Sequence, residues 1–349
     1  MRAGRRLVKP LYTVQETANS LSYFQDIAYN EVVDLGNGVR VRFQDAGHIL
    51  GSGIVELWIQ DDSEEKKLVF SGDLGQEDFP LVRDRAQIGE GDFVFVESTY
   101  GNRNHKGMSE TRDEFATAVS ESLKRGGNII IPAFAVGRTQ DVLYMLNELS
   151  REERLNHLQV FVDSPMAYKA TRITLKHPEC FDQETLELMK EGHFSRSTHT
   201  LKFTESVEES KEINRMRNGA VIVSSSGMCE AGRILHHLKH NLWRPECSII
   251  FVGYQAKGTL GRAIIEGAKK VKIFGEDIAV KARVYTIGGL SAHAGRKELL
   301  EWLGRFKKRP KHVFVIHGEE EIALGFAETI KEQLHLTAFV PGILDQVQV

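Results

Sequence analysis

The sequence lacks any run approaching the roughly 18 consecutive apolar residues of a membrane span. Its basic opening, MRAGRRLVKP, is followed by no apolar segment, which excludes a secretory signal. Cysteine is scarce: Cys180, Cys229 and Cys247 lie far apart with no CxxC spacing. That excludes a zinc ribbon and a disulfide framework, and it fits a reducing cytoplasm. An excess of one charge is lacking too. At a net charge of −3 the chain exerts no global attraction on nucleic acid, so a polyanion would need a local basic pocket or a metal centre. There is no internal repeat and no low-complexity tract. What remains is an ordinary globular composition, 41% apolar and 27% charged over 349 residues, long enough for two domains with cores of their own.

Thr13 and Glu16 have capping-box spacing, and Val14, Ala18, Leu21, Phe24 and Ala28 recur at helical intervals, which predicts a helix over Thr13–Tyr29. An antiparallel group follows. Val39, Val41 and Phe43 alternate with Arg40 and Arg42, Asn37-Gly38 offers a turn, and Ile54–Ile59 and Lys67–Phe70 supply further strands. Phe93–Val96 is apolar at every residue, as in a strand covered on both faces, and it ends on Glu97. From Met108 helices alternate with buried strands at 128–131, 160–162, 220–223 and 248–252, the texture of a parallel, doubly wound sheet. Residues 179–217 read as helical and peripheral. After Gly288-Gly289 the antiparallel style is expected to resume, with a helix around Leu299–Leu303, a strand at Val313–Ile316 and a closing helix over Ala323–Leu334. This last part has too little apolar surface to stand alone and should dock onto residues 1–102, making the middle an inserted domain.

The chemistry centres on KKLVFSGDLG, where Asp73 is held between two glycines at the mouth of an apolar strand. A carboxylate there needs a positive partner. His48 in AGHILGSG and His317 in VFVIHGEE share its setting of strand, ligand and glycine, so the three are expected to converge on a metal. Imidazole and carboxylate donors suit zinc. Asp73 could bridge two zinc ions about 3.5–4 Å apart and so hold a hydroxide against phosphorus or a carbonyl. Beside them His293, in SAHAG, could protonate a leaving oxygen with Glu97 orienting it. From spacing alone, a solvated histidine and a surface acid are the simpler reading of that pair. Ser224-Ser225-Ser226-Gly227-Met228, the Lys257–Arg262 loop with Thr259, and Gly137-Arg138 each follow a strand of the doubly wound region, as phosphate-binding loops at one sheet edge would. His236, His237 and His240 read as an exposed polar helix face, and the charge runs Asp61–Lys67 and Arg305–Lys311 as solvated surface.

The ordered series AGHILGSG, FSGDLG, VESTYG, PAFAVGRTQ, SSSGM, KGTLGR, SAHAG and IHGE resembles the RNA-processing β-CASP branch of the metallo-β-lactamase superfamily over essentially the whole chain. The resemblance implies a metallo-β-lactamase αββα sandwich, incomplete at its N-terminus, over residues 1–107 and 289–349. A doubly wound β-CASP domain would be inserted at 108–288. It implies a cytoplasmic zinc-dependent ribonuclease that hydrolyses single-stranded RNA by metal-bound hydroxide, with two zinc ions per intact site. His48, Asp73 and His317 would be ligands, and Glu97 and His293 the acid pair beside Asp73. Arg138, the serine loop 224–228, Lys257, Thr259 and Arg262 would contact RNA. The family's upstream HxHxDH motif occurs nowhere in this chain. The chain is therefore expected to be a fragment, inactive alone, with an unpaired sheet edge that invites association such as a homodimer. A non-catalytic scaffold of the same fold is the alternative, and an in-frame HxHxDH in the DNA upstream of Met1 would discriminate against it. A two-zinc hydrolase of thioesters or lactams is a third reading, disfavoured because the phosphate loops would then serve nothing.

Overall fold

The computed structural model describes residues 10–61, 64–190 and 200–347. Among them the strands form two principal sheets. The first has seven strands in the order β1 (Val32–Gly36), β2 (Val39–Asp45), β3 (Gly53–Gln60), β4 (Glu65–Phe70), β5 (Phe93–Val96), β14 (His312–Val315) and β15 (Ala338–Phe339). The second is parallel throughout and joins β13 (Arg283–Thr286), β10 (Ser248–Phe251), β6 (Ile129–Pro132), β9 (Ala220–Ser224), β7 (Gln159–Asp163) and β8 (Thr200–Phe203). A small hairpin, β11 (Lys270–Ile273) with β12 (Glu276–Ala279), stands apart.

The antiparallel start follows from the sequence. Asn37 and Gly38 both adopt positive φ, the two-residue turn whose twist matches a hairpin, and β1 and β2 pair across it. The short helix α1 (Val14–Ser20) carries the expected Thr13–Glu16 capping box but stops at Ser20, and Leu21–Tyr23 follow as a 3₁₀ turn. The expected helix to Tyr29 is therefore too long. Its apolar residues pack on no described core: Val14, Leu21 and Phe24 are all exposed.

A second correction concerns the C-terminal third. β14 pairs parallel with both β5 and β15, not antiparallel. The reason is connectivity: β14 lies between helices α9 (Arg296–Gly304) and α10 (Glu320–Leu334), and a helix crossing over a sheet returns the chain in its original direction. One face of this sheet, with Val69, Val94, Val96, Val313 and Val315, packs on Trp302, Phe326 and Ile330 of those helices. The other carries a row of stacked rings, Phe70 on Phe95 at 4.3 Å and Phe95 on Phe314 at 4.4 Å.

The parallel sheet is covered on both faces, as its uninterrupted apolar strands require. On one side lie α2 (Met108–Arg125), α3 (Arg138–Arg151) and α4 (Pro165–Thr174). On the other lie α7 (Ile234–Asn241) and α8 (Leu260–Ile265). The stretch read as helical does contain α5 (Gln183–Lys190) and α6 (Val207–Ile213), but between them β8 pairs with β7. As an exposed edge strand, TLKF carries no apolar run that could announce it. Residues 191–199 of that stretch lie outside the described ones.

Candidate active site

β2, β4, β5 and β14 run in one direction, because β3 is antiparallel to both β2 and β4, and β5 and β14 are parallel to β4. Their C-terminal ends therefore open on one edge, and His48, Asp73, Glu97 and His317 each stand one to three residues past such an end. Backbone bonds lace the loops together. Gly75 N–H donates to Ala46 O at 2.8 Å, Gln76 N–H to Ala292 O at 3.1 Å, Ala294 N–H to Leu74 O at 2.7 Å and Ser98 N–H to His317 O at 2.8 Å. The approach at Gly75 is so close that a Cβ there would stand 1.8 Å from Gly47 O.

Asp73 is the centre of the cluster. Its Oδ2 lies 3.9 Å from His48 Nε2 and its Oδ1 lies 3.4 Å from His317 Nδ1. Donor atoms of His48, Asp73 and His293 lie within 4.8 Å of one another, as do those of Asp73, Glu97 and His317, so two groups share Asp73. Glu97 is buried, accepts from Leu74 N–H at 2.6 Å and pairs with His293 Nδ1 at 3.0 Å. The His293 ring stands 4.3 Å from His48 and 6.1 Å from His317.

The electrostatics differ from residue to residue. Burial drives His48 down to about 3, with the charge of His293 adding to it. His48 is thus a neutral imidazole with an available lone pair, and its buried Nδ1 has no hydrogen-bond partner of good geometry. Burial alone would raise Glu97, but its bond and charge pairing with His293 outweigh this and hold it below the carboxylate range. Burial alone would lower His293, yet the Glu97 carboxylate more than offsets it, and Asp73 helps to raise it. The outcome is a charged acid-histidine pair beside a neutral histidine and a half-exposed carboxylate. This fits a divalent metal: a neutral imidazole, a carboxylate and a second imidazole are N and O donors. The 3.4 Å separation of His317 from Asp73 is close to the edge, about 3.4 Å, of a tetrahedron with bonds of about 2.0–2.1 Å.

Facing this cluster are the C-terminal ends of β6, β7, β9 and β10. The two sides enclose a crevice of about 800 Å³. Arg138, Met228 and Lys257 line it as the sequence anticipates. Arg138 is buried, pairs with Asp141 at 3.1 Å, and its Nη1 lacks a well-aligned hydrogen bond. The other anticipated contacts are engaged within the chain. Ser224 is buried and donates to Asp163 O, Ser225 meets Ser164 Oγ at 3.1 Å, and Ser226 Oγ accepts from Glu230 N–H. The backbone cradle expected at 224–228 is correspondingly reduced, because Ser226 N–H donates to Ala231 O. Gly227 lies against the Phe134 ring. Thr259 caps its own helix, and Arg262 pairs with Glu266 at 2.6 Å.

His237 is a correction. It is fully buried, not part of an exposed face, and its Nε2 lies 2.6 Å from Asp163 Oδ2. Asp163 also accepts from Ser210 at 2.6 Å and from Arg233 at 2.7 Å. The acidic partner is remote in sequence, at the end of β7, so helix spacing alone could not reveal it. Sequence reasoning also passes over Thr99, whose Oγ1 is 3.2 Å from His317 Nδ1, although its place two residues after Glu97 was a signal. It passes over the crevice-lining Phe134 and Met166 as well.

Among the described residues no helix is long and apolar enough to cross a membrane. Two family descriptions match the chain: the Beta-Casp domain over residues 139–264 and the Zn-dependent metallo-hydrolase RNA specificity domain over residues 277–341. The chain is similar to Ribonuclease TTHA0252 of Thermus thermophilus, 36% identical over 338 residues, covering 96% of this chain and 76% of that protein. It is 31% identical over 333 residues to an RNase J-like protein of Methanocaldococcus jannaschii, covering 95% of this chain and 76% of the relative. It is also 31% identical over 355 residues to the transcription termination factor FttA of Thermococcus kodakarensis, of which it spans about half, 53%. With this breadth of similarity added to a histidine and carboxylate cluster at one sheet edge and a doubly wound sheet facing it, the chain belongs to the β-CASP branch of the metallo-β-lactamase superfamily.

Proposed function

We propose that the protein is a zinc-dependent ribonuclease that hydrolyses phosphodiester bonds of single-stranded RNA in the cytoplasm. The observation that carries the reading is the Glu97–His293 pair held against Asp73 at the floor of a crevice whose far wall offers Arg138 and Lys257. His48, Asp73 and His317 would hold the zinc, two ions in the complete site, with Asp73 belonging to both groups of donors. That metal would supply Lewis acidity, offsetting phosphate charge and lowering the pKa of the attacking water. His293 is the general acid. Its Nδ1–H donates to Glu97, which fixes the ring and raises its proton affinity, so the other ring nitrogen delivers a proton to the leaving oxygen. Arg138 and Lys257 position the RNA backbone. Residues 1–107 and 289–349 form the metal-binding domain and 108–288 the cap, and the outer edge of β1 is where a second copy would pair.

A second reading keeps the fold and drops the chemistry. Among the described residues the candidate donors do not fill two four-coordinate sites, which favours a scaffold. Cleavage of end-labelled RNA in zinc buffer, with metal content measured in parallel, separates them. In an active protein His293→Ala should retain its metal and lose about 10²–10⁴ of the rate. Unchanged cleavage rejects the role of His293, and RNA binding without any cleavage by the wild type favours the scaffold. DNA and ester substrates in the same assay test the strand preference and the third chemistry.

A further inference from the structure

The crevice is chemically two-sided. Its floor is the histidine and carboxylate cluster, but the cap contributes a wall of apolar side chains from successive strand ends. Phe134 follows β6, Met166 stands in the first turn of α4 after β7, and Met228 follows β9. Val136 completes the wall. These groups are not core: Phe134 is 43% exposed and Met166 66%, although each follows a strand whose last residues are buried. Large apolar groups left open inside a cleft mark a ligand surface. The Phe134 ring packs directly on Gly227, where a Cβ would stand 2.9 Å from ring Cδ2, so only glycine leaves the ring its place beside the crevice.

We propose that Phe134, flanked by Met166 and Met228, is a nucleobase-stacking subsite that sets the register of a single strand across the cluster. The inference rests on the ribonuclease reading and names the part of the substrate that reading leaves unassigned. A single strand presents anionic phosphates on one side and flat, weakly hydrated bases on the other. Arg138, Lys257 and the histidine and carboxylate floor suit the phosphates, and the apolar wall suits the bases. Every base has a π-face, so the subsite accepts any base and discriminates single strands from duplexes, whose bases are already stacked.

The test is binding of a phosphorothioate-linked single-stranded RNA, which resists hydrolysis, carrying one 2-aminopurine. A matched strand of abasic riboses serves as control, and both are measured with the full chain in zinc buffer. Phe134→Ala and Phe134→Leu should weaken binding of the base-bearing strand roughly five- to fiftyfold and relieve the 2-aminopurine quenching, while Phe134→Trp retains both. Abasic RNA should bind the wild type and all three variants alike. The leucine variant fills most of the phenylalanine volume, so equal losses on both strands would mean general damage and would overturn the proposal. So would unchanged binding of base-bearing RNA, as a wall that serves a peptide would give. A wild type that binds no RNA overturns the ribonuclease reading and this subsite with it. RNA binding indifferent to residue 134 overturns the subsite alone.

Discussion

Gly75 shows how little tolerance the metal-binding loops have. Its Cα faces Gly47 O so closely that the smallest side chain must displace the loop that carries His48, the one that carries Asp73, or both. Gly75→Ala is expected to cost about 1–3 kcal/mol in a urea titration, the range of overpacking in a fitted site. If these loops hold zinc as proposed, zinc content read by atomic emission should fall by more than the unfolded fraction explains, because both proposed ligands move. At this scale much was legible beforehand. His48, Asp73, Glu97 and His317 each follow an apolar strand, and strands of common direction bring such residues to one edge. His293 was expected beside them on Glu97, but spacing alone favoured a solvated ring, since what holds it there are backbone bonds from Gln76 and Ala294 across more than two hundred residues of chain.

Between elements the strongest knot is Asp163. Sited at the end of β7, it gathers Thr204 beyond β8, Ser210 of α6, and Arg233 and His237 at α7, while its carbonyl accepts from Ser224 of the serine loop. Asp163→Asn leaves Arg233 and His237 without their anion, and breaking a buried pair in this way is expected to cost about 3–5 kcal/mol at neutral pH. Burial alone would raise the Asp163 carboxyl, but the bonds from His237, Ser210 and Thr204 outweigh it and hold the group far below the carboxylate range. A carboxylate depressed in the fold stabilises fully above its unfolded value of about 3.9, and that contribution is lost as pH falls through and below it. Urea midpoints measured between about pH 6 and pH 3 should therefore fall more steeply for the wild type than for Asp163→Asn. Parallel curves would show that the knot contributes nothing in acid. The alternation of helices and buried strands announced the sheet around this residue. The edge strand β8 and the hairpin β11–β12 went unannounced because neither buries a continuous apolar run.

Across the whole molecule the two sides of the crevice touch through Glu319, the N-cap residue of α10, two residues beyond His317. It accepts from Tyr254 at 2.6 Å and lies 3.5 Å from Lys257 and 3.8 Å from Arg262, which stand on the loop after β10 and in α8. RNA phosphates would compete with this carboxylate for the same cations. Glu319→Ala is expected to tighten RNA binding about three- to tenfold at low salt and to steepen its salt dependence, both read by fluorescence anisotropy over a potassium chloride series. Weaker binding would mean that Glu319 holds Lys257 and Arg262 in place rather than occupying them.

The order in which a ribosome delivers these parts carries a last consequence. β5 emerges early, but β14, its neighbour in the sheet, is translated only after the entire cap, and His317 follows immediately behind it. The first half-sheet must therefore wait, with one flank open, while some two hundred residues are synthesised. Contacts of such long sequence separation form slowly. A nascent chain accordingly cannot set His317 beside Asp73 until all the residues between β5 and β14 have been made.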